Sequence, residues 1–347
     1  MTEEPTTFYV KNASRYALLG ALILAALLGV FAWRGQSLPA QLASPLAPLT
    51  IAANTRYTGT GLVFIAQVQG YFVHAGLNVT LQPYTTGKDA LDATLEGRAE
   101  LATVADIPIM FAVMKGHPMS IVATIFTEEK NPGVIGRKDK GILTPADLNG
   151  KRIGVTLGTS AHFMLDALLN RHKLSTDDVM LHNLQPQELA EALLQGVVDA
   201  VATWEPYLGA LRTQLGGNGM LFDGVEIYEL PFNIAGTRDY VVSHPEMITK
   251  IVRALVRAEQ LCREAPDAAR QIIASAMDVS LENLQELWPG YRFSVTLDQS
   301  LLLTLEDETR WAIKNELTDR TNIPNYLDHF YLDALEAVTP AAVTVIH

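Results

Sequence analysis

The 347-residue chain contains a single cysteine, Cys262, and that scarcity excludes several architectures. An internal disulfide framework, a four-cysteine zinc site and an iron–sulfur cluster held by this chain alone all need more thiols. Positive charge is also short, with 26 Lys and Arg against 38 Asp and Glu, a net charge of −12. That balance argues against nucleic acid as a partner, because such binding is dominated by phosphate contacts. The eight histidines show neither H-E-x-x-H nor another ligand spacing, so no metal is expected. G-x-S-x-G, a P-loop and a Rossmann glycine fingerprint are all missing, so the chain offers no sign of an enzyme or of a cofactor. What it has in quantity is apolar surface. Hydrophobic residues make up 48% of the chain and charged residues 18%, enough for one large or two medium domains with a real core.

One apolar run stands apart. Residues 16–33, YALLGALILAALLGVFAW, carry no charge and are bracketed by Arg15 and Arg34. A helix of that length covers about 27 Å, close to the hydrocarbon thickness of a bilayer. Lys11 and Arg15 precede it, which places residues 1–15 in the cytoplasm. The run is longer than a signal-peptide core, Arg34 follows it, and Leu38 and Gln41 stand two residues before Ala40 and Ala43, where a cleavage site would need a small residue. An uncleaved transmembrane anchor is therefore expected, with cleavage as the alternative. Residues 34–48 form a Pro/Ala/Ser linker, and folding starts near residue 49, outside the cytoplasmic membrane.

Beyond the linker, strands and helices alternate. Strands are expected at 49–53, 78–82, 101–104 and 120–126, with helices at 62–74, 88–96 and 108–114 between them. A second series follows the Asn131-Pro132-Gly133 turn, with strands at 134–137, 152–155, 179–183 and 200–203 and helices at 161–171 and 186–195. From Pro245 the chain reads as helices at 245–264, 266–277, 280–288 and 297–316. Repeated strand–loop–helix order implies mostly parallel sheets covered by helices. Ligands in such folds sit at the carboxyl ends of strands. That rule selects the loops Arg56–Thr60, Tyr84–Gly87, Ala105-Asp106, Thr156–Ser160 and Trp204–Tyr207. Three of these loops precede helices, whose free N–H groups and positive dipole end favour an anion. Ordinary caps and turns would use the same residue types.

Four stretches in order resemble the substrate-binding proteins of ABC importers for nitrate, taurine and alkanesulfonates, which share their fold with thiamine-pyrimidine-precursor binders. They are Gly70-Tyr71-Phe72 with Gly76-Leu77-Asn78-Val79; Leu95-Glu96-Gly97-Arg98-Ala99-Glu100; Asp147-Leu148-Asn149-Gly150-Lys151-Arg152-Ile153-Gly154-Val155; and Gly196 through Trp204-Glu205-Pro206-Tyr207. Glu100 stands where an Asp is usual. The resemblance implies an α/β, two-lobed periplasmic-binding-protein-like fold of type II, preceded by the N-terminal transmembrane helix. Lobe 1 would comprise residues 49–132 and 237–347 with the helical tail, and lobe 2 residues 133–236. It further implies closure on a small-molecule ligand in a periplasmic cleft and delivery to an ABC permease with its ATPase. The cleft positions would be Tyr57, Thr58, Thr60, Thr85, Thr86, Asp106, Thr159, Ser160, Trp204 and Glu205. Asp106 stands where many anion binders carry a small residue. It would either meet a cationic or N–H group of the ligand or cap the helix near Pro108. A membrane-anchored sensor acting with a partner, or a binder of a thiamine pyrimidine precursor, are the alternative functions. His162 is expected on a helix surface.

Overall fold

The structure, a computed structural model, describes residues 45–128, 132–224 and 227–347. The apolar run at residues 16–33 lies outside them. Among the described residues no helix is long and apolar enough to cross a membrane.

The chain enters through β1 (Ala47–Asn54), two residues earlier than the expected strand, followed by α1 (Gly61–Val68) and α2 (Tyr71–His74). A single helix over 62–74 is not formed, because Gly70 adopts φ +67° and separates two shorter ones. Then come β2 (Leu77–Tyr84), α3 (Gly87–Leu95), β3 (Leu101–Ala105), α4 (Asp106–Met114) and β4 (Met119–Glu128). β1 pairs in parallel with both β2 and β3, so both its edges are covered, and successive residues Ile51, Ala52 and Ala53 are fully buried, so both its faces are too.

The chain then leaves this sheet. β5 (Gly133–Arg137), β6 (Arg152–Val155), α5 (Ser160–Arg171), β7 (Met180–Asn183), α6 (Pro186–Leu194), β8 (Ala200–Thr203), α7 (Tyr207–Leu215) and β9 (Gly219–Asp223) build a second sheet in the order β7-β6-β8-β5-β9. Here β6, β7 and β8 run parallel, while β5 is antiparallel to both of its neighbours.

β10 (Leu230–Thr237) returns to the first sheet. It lies antiparallel between β3 and β4, so residues 230–236 pair within the first sheet although the sequence reading grouped them with the second lobe. That sheet is six-stranded, in the order β11-β4-β10-β3-β1-β2. It is mixed rather than mostly parallel, because the returning strand β10 runs against both β3 and β4, and β11 runs against β4. The remaining chain forms α8 (Arg238–Ser243), α9 (Pro245–Glu264), α10 (Pro266–Met277), α11 (Leu281–Leu287), β11 (Tyr291–Arg292), α12 (Gln299–Lys314) and α13 (Asp333–Val338). The tail packs on the first lobe, with α9 and α10 against α1 and α12 against α4.

α9 shows why. Ile248, Ile251, Val252, Leu255 and Ala258 recur at helical spacing and are buried, while Arg253 and Arg257 on the other face are exposed. Leu255→Ala should lower the unfolding free energy by about 2–5 kcal/mol. Arg253→Ala should change it by less than about 0.5 kcal/mol. Urea unfolding of the two variants checks this packing, and equal effects would contradict it.

Candidate ligand-binding site

Between the lobes lies a narrow cavity of about 30 Å3, walled by residues of both. From the first lobe come Asn54, Tyr57, Thr86, Gly87, Lys88, Ala105, Pro108, Leu230 and Phe232; from the second come Thr159, Ser160 and Trp204, with Pro132 at the crossing. Two helices end here. Thr86 is the N-cap of α3, and its hydroxyl accepts from the Asp89 N–H at 3.0 Å. Thr159 is the N-cap of α5, but its hydroxyl donates instead to the Thr156 carbonyl at 2.7 Å. First-turn N–H groups have no partner within their own helix, so both N-termini present donors and a positive dipole end to one space.

Two glycines make this approach possible. A Cβ on Gly87 would lie 3.0 Å from the Val104 Cα, so glycine lets the start of α3 press against β3. Gly158 has φ +74°, the left-handed region that turns the chain from β6 into α5.

Aromatic side chains close the walls. Tyr57 packs edge-on against Phe232 at 4.8 Å and Phe126 at 5.8 Å, and its hydroxyl donates to the buried Glu128 carboxylate. Burial, then the Glu128 charge, push the Tyr57 hydroxyl well above its ordinary pKa, which keeps it a donor. Trp204 is buried and meets Tyr207 edge-on at 6.1 Å. Lys88 carries the one ammonium on the wall and is paired with Asp92 at 2.7 Å.

Five of the ten residues expected in the cleft therefore line this cavity: Tyr57, Thr86, Thr159, Ser160 and Trp204. Thr58 and Glu205 line a separate, wider opening of about 470 Å3, in which Glu205 accepts from the Gly209 N–H at 2.8 Å and pairs with Arg212 at 3.4 Å. Burial raises the Glu205 pKa above the usual carboxylate value. Thr60 is fully buried and donates to the Asn54 carbonyl at 2.7 Å, so it shapes the loop rather than the wall. Thr85 is half-buried beside the cavity and is not one of its walls.

Asp106 does not reach the cavity either. Its side chain is 0% exposed. It opens α4, accepts from the Ile107 N–H at 2.8 Å, and takes the Tyr228 hydroxyl at 2.5 Å from both oxygens. Glu308 of α12, also 0% exposed, lies 3.5 Å from the same hydroxyl. Two buried carboxyls without a cation cannot both ionise cheaply. Burial pushes Asp106 up to about 6 against the pull of its hydrogen bonds, while burial and then the Asp106 charge drive Glu308 well above the usual carboxylate range. Ser160 of the cavity wall lies near the Tyr228 hydroxyl and tempers the rise that burial gives its pKa, so the wall adjoins the acid pair through one phenol.

His162 is also differently placed from expectation. It is buried rather than on a helix surface, edge-on to Trp311 of α12 at 5.2 Å, and burial lowers its pKa to about 4. With Phe163 meeting Trp311 at 5.2 Å and Tyr228 at 5.0 Å, α5 of the second lobe is held against the tail by aromatic edges.

The acid pair gives stability a defined pH dependence. Both folded-state pKa values lie above the unfolded value near 4. The pair's contribution is therefore complete below about pH 4 and is lost as pH rises through about 6. Melting temperature should fall between pH 5 and pH 8, and the fall should be smaller in Glu308→Gln, which has no proton to lose. Parallel melting curves across that range would contradict the assignment.

A family model described as NMT1/THI5 like matches residues 58–269, more than half of the chain. A relative from Escherichia coli (strain K12), named as an aliphatic sulfonates-binding protein, is 27% identical over 194 residues, which cover 56% of this chain and 60% of that protein. The nitrate import ATP-binding protein NrtC of Synechococcus elongatus is 28% identical over 291 residues, covering 77% of this chain and 42% of that protein. The matched stretch thus spans less than two thirds of either curated relative. In three dimensions, the periplasmic aliphatic sulphonate binding protein SsuA from Escherichia coli superposes with a TM-score of 0.70 at 19% identity, covering 83% of this chain and 98% of that one. That likeness identifies the fold as the two-lobed α/β architecture of periplasmic binding proteins. On the extent of the family match, the chain belongs to the NMT1/THI5-like family.

Proposed function

We propose that this chain is the periplasmic solute-binding component of an ABC importer, and that it closes on the anionic head of a small organic solute, a sulfonate above all. The observation that carries the reading is the meeting of two helix N-termini, one from each lobe, at a single cavity lined by Thr86, Lys88, Thr159 and Ser160. Each N-terminus is equivalent to about half a positive charge. Together with the Lys88 ammonium they form a cradle for one anion, and the hydroxyls supply directional contacts.

The geometry also supplies a reason for closure. An anion here touches both lobes only when they are together, so its binding energy favours the closed arrangement over the open one. The cavity has room for about two water molecules, which is the scale of an oxyanion head and not of a whole organic solute. The chemistry of the walls is that of capture. The importer assignment rests on the relatives named for sulfonate binding and for nitrate import. No bond making or breaking is proposed, and the partners are a permease and its ATPase.

A second reading, a pyrimidine-type ring as ligand, is favoured by the aromatic walls of Tyr57, Phe232 and Trp204. The two separate on charge. Thr159→Asp gives up the hydroxyl's bond to the Thr156 carbonyl and places a carboxylate at the wall. It should weaken methanesulfonate binding by at least about 100-fold in isothermal titration, with a cooperative melting transition showing that the variant is folded. Undiminished sulfonate binding, or binding of neutral pyrimidines alone, would overturn the anion reading.

A further inference from the structure

Behind the wall of the narrow cavity lie Asp106 and Glu308. Both are fully buried, they meet at the Tyr228 hydroxyl, and no cation among the described residues is paired with either. Ala105 and Pro108, on either side of the Asp106-Ile107 step, are wall residues, and Ser160 of the second lobe adjoins the same hydroxyl. The pair therefore sits next to the space assigned to the anion.

The carboxyl oxygens are arranged for a proton. Glu308 Oε2 is buried without a hydrogen-bond partner, and the two carboxyls are in hydrogen-bonding contact with each other. Two ionised carboxylates offer only acceptors, so neither can satisfy the other. One proton turns one of them into a donor and closes the contact. Burial makes the pair hold a second proton until about pH 6. At neutral pH one negative charge thus remains beside the cavity, away from water, where its repulsion of another anion is little screened.

The groups around the pair do not take over this role. On α12, Asp307 beside Glu308 is exposed and paired with Arg310. On α5, His162 is neutral above about pH 4, and Asp166 has Asn170 and Lys314 for partners. Tyr57, Tyr228 and Tyr326 stay protonated, because burial raises all three. On α3, Lys88 is held by Asp92, and Asp89 by the Thr86 hydroxyl.

We propose that Asp106 and Glu308 form a proton-binding site linked to the cavity, so that capture of the solute anion draws a proton into the pair and an acid medium strengthens capture. The inference rests on the anion reading above, since a neutral solute would leave the pair's charge unopposed. An anion beside the ionised pair favours its protonated form. By reciprocity, the protonated pair favours the anion by the same factor. The solute then enters with its own compensating proton, and the cleft gains no net charge.

The test is isothermal titration of the full chain with methanesulfonate, which has no proton to exchange. At pH 7 in bis-Tris, imidazole and Tris, the heat should follow the ionisation enthalpy of the buffer, with uptake of roughly half a proton or more per solute. Affinity should be flat below about pH 5 and fall on the order of tenfold between pH 5 and pH 8.5. Asp106→Asn/Glu308→Gln keeps the shape of the pair without a titratable proton. In that variant the uptake should vanish and the affinity should no longer depend on pH. If the double variant does not fold, Asp106→Asn alone should cut the uptake by at least about half. Binding without proton uptake in the wild type, or uptake that the variants keep, would overturn the linkage while leaving the anion site in place. Failure of methanesulfonate to bind at any pH would overturn the anion site and the linkage with it.

Discussion

The antiparallel pairing of β4 with β10 is the constraint on which the two lobes depend. Leu230 pairs with Glu128 at the end of that ladder, so the outgoing and returning crossings leave the first sheet side by side. The second lobe is thus joined to the first through two neighbouring crossings. The same ladder furnishes the cavity floor. Phe232 and Leu230 line it from β10, and Glu128 of β4 fixes the Tyr57 hydroxyl. Register shifts beside Phe232 and Ile234 bend the pair where it approaches the cavity.

The lobes meet through side chains as well as through the crossings. Trp311 touches His162 and Phe163 across the lobes, and Tyr228 of the returning crossing seats itself between Phe163 and the Asp106 carboxylate. Neutral His162 suits this apolar contact, because burial disfavours the imidazolium. The carboxyl pair behind it carries a cost in charge that falls as the medium acidifies. The cavity wall at Ser160 therefore sits next to a cluster that is most stable when protonated.

Much of the frame was legible in the sequence because it is local. Alternating apolar runs located β1, β2, β3 and the second-lobe strands β5 to β8 but not β9, and the helical spacing in α9 through α12 located the tail helices. Strand-end loops pointed to Tyr57, Thr86, Thr159, Ser160 and Trp204, which do converge. What escaped depends on pairings remote in sequence. β10 is a short run with Pro231, Asn233 and Gly236, and only its position between β3 and β4 makes it a strand. Asp106 looked like a cleft residue because its partner Tyr228 is 122 residues away and Glu308 farther still. Lys88, read only as the first residue of a helix, reaches the cavity because Gly87 lets α3 press against β3. His162 has a surface-like spacing, and Trp311 covers it from a segment that the sequence reads only as helix.

The central claim is that one anion is shared between the N-termini of α3 and α5. A crystal structure of the chain grown with an alkanesulfonate tests it most directly. The account predicts the sulfonate oxygens within hydrogen-bond distance of N–H or hydroxyl groups at Thr86–Lys88 and at Thr159–Ser160 together. A sulfonate seated in the Arg212 opening, or held by one lobe alone, would contradict it.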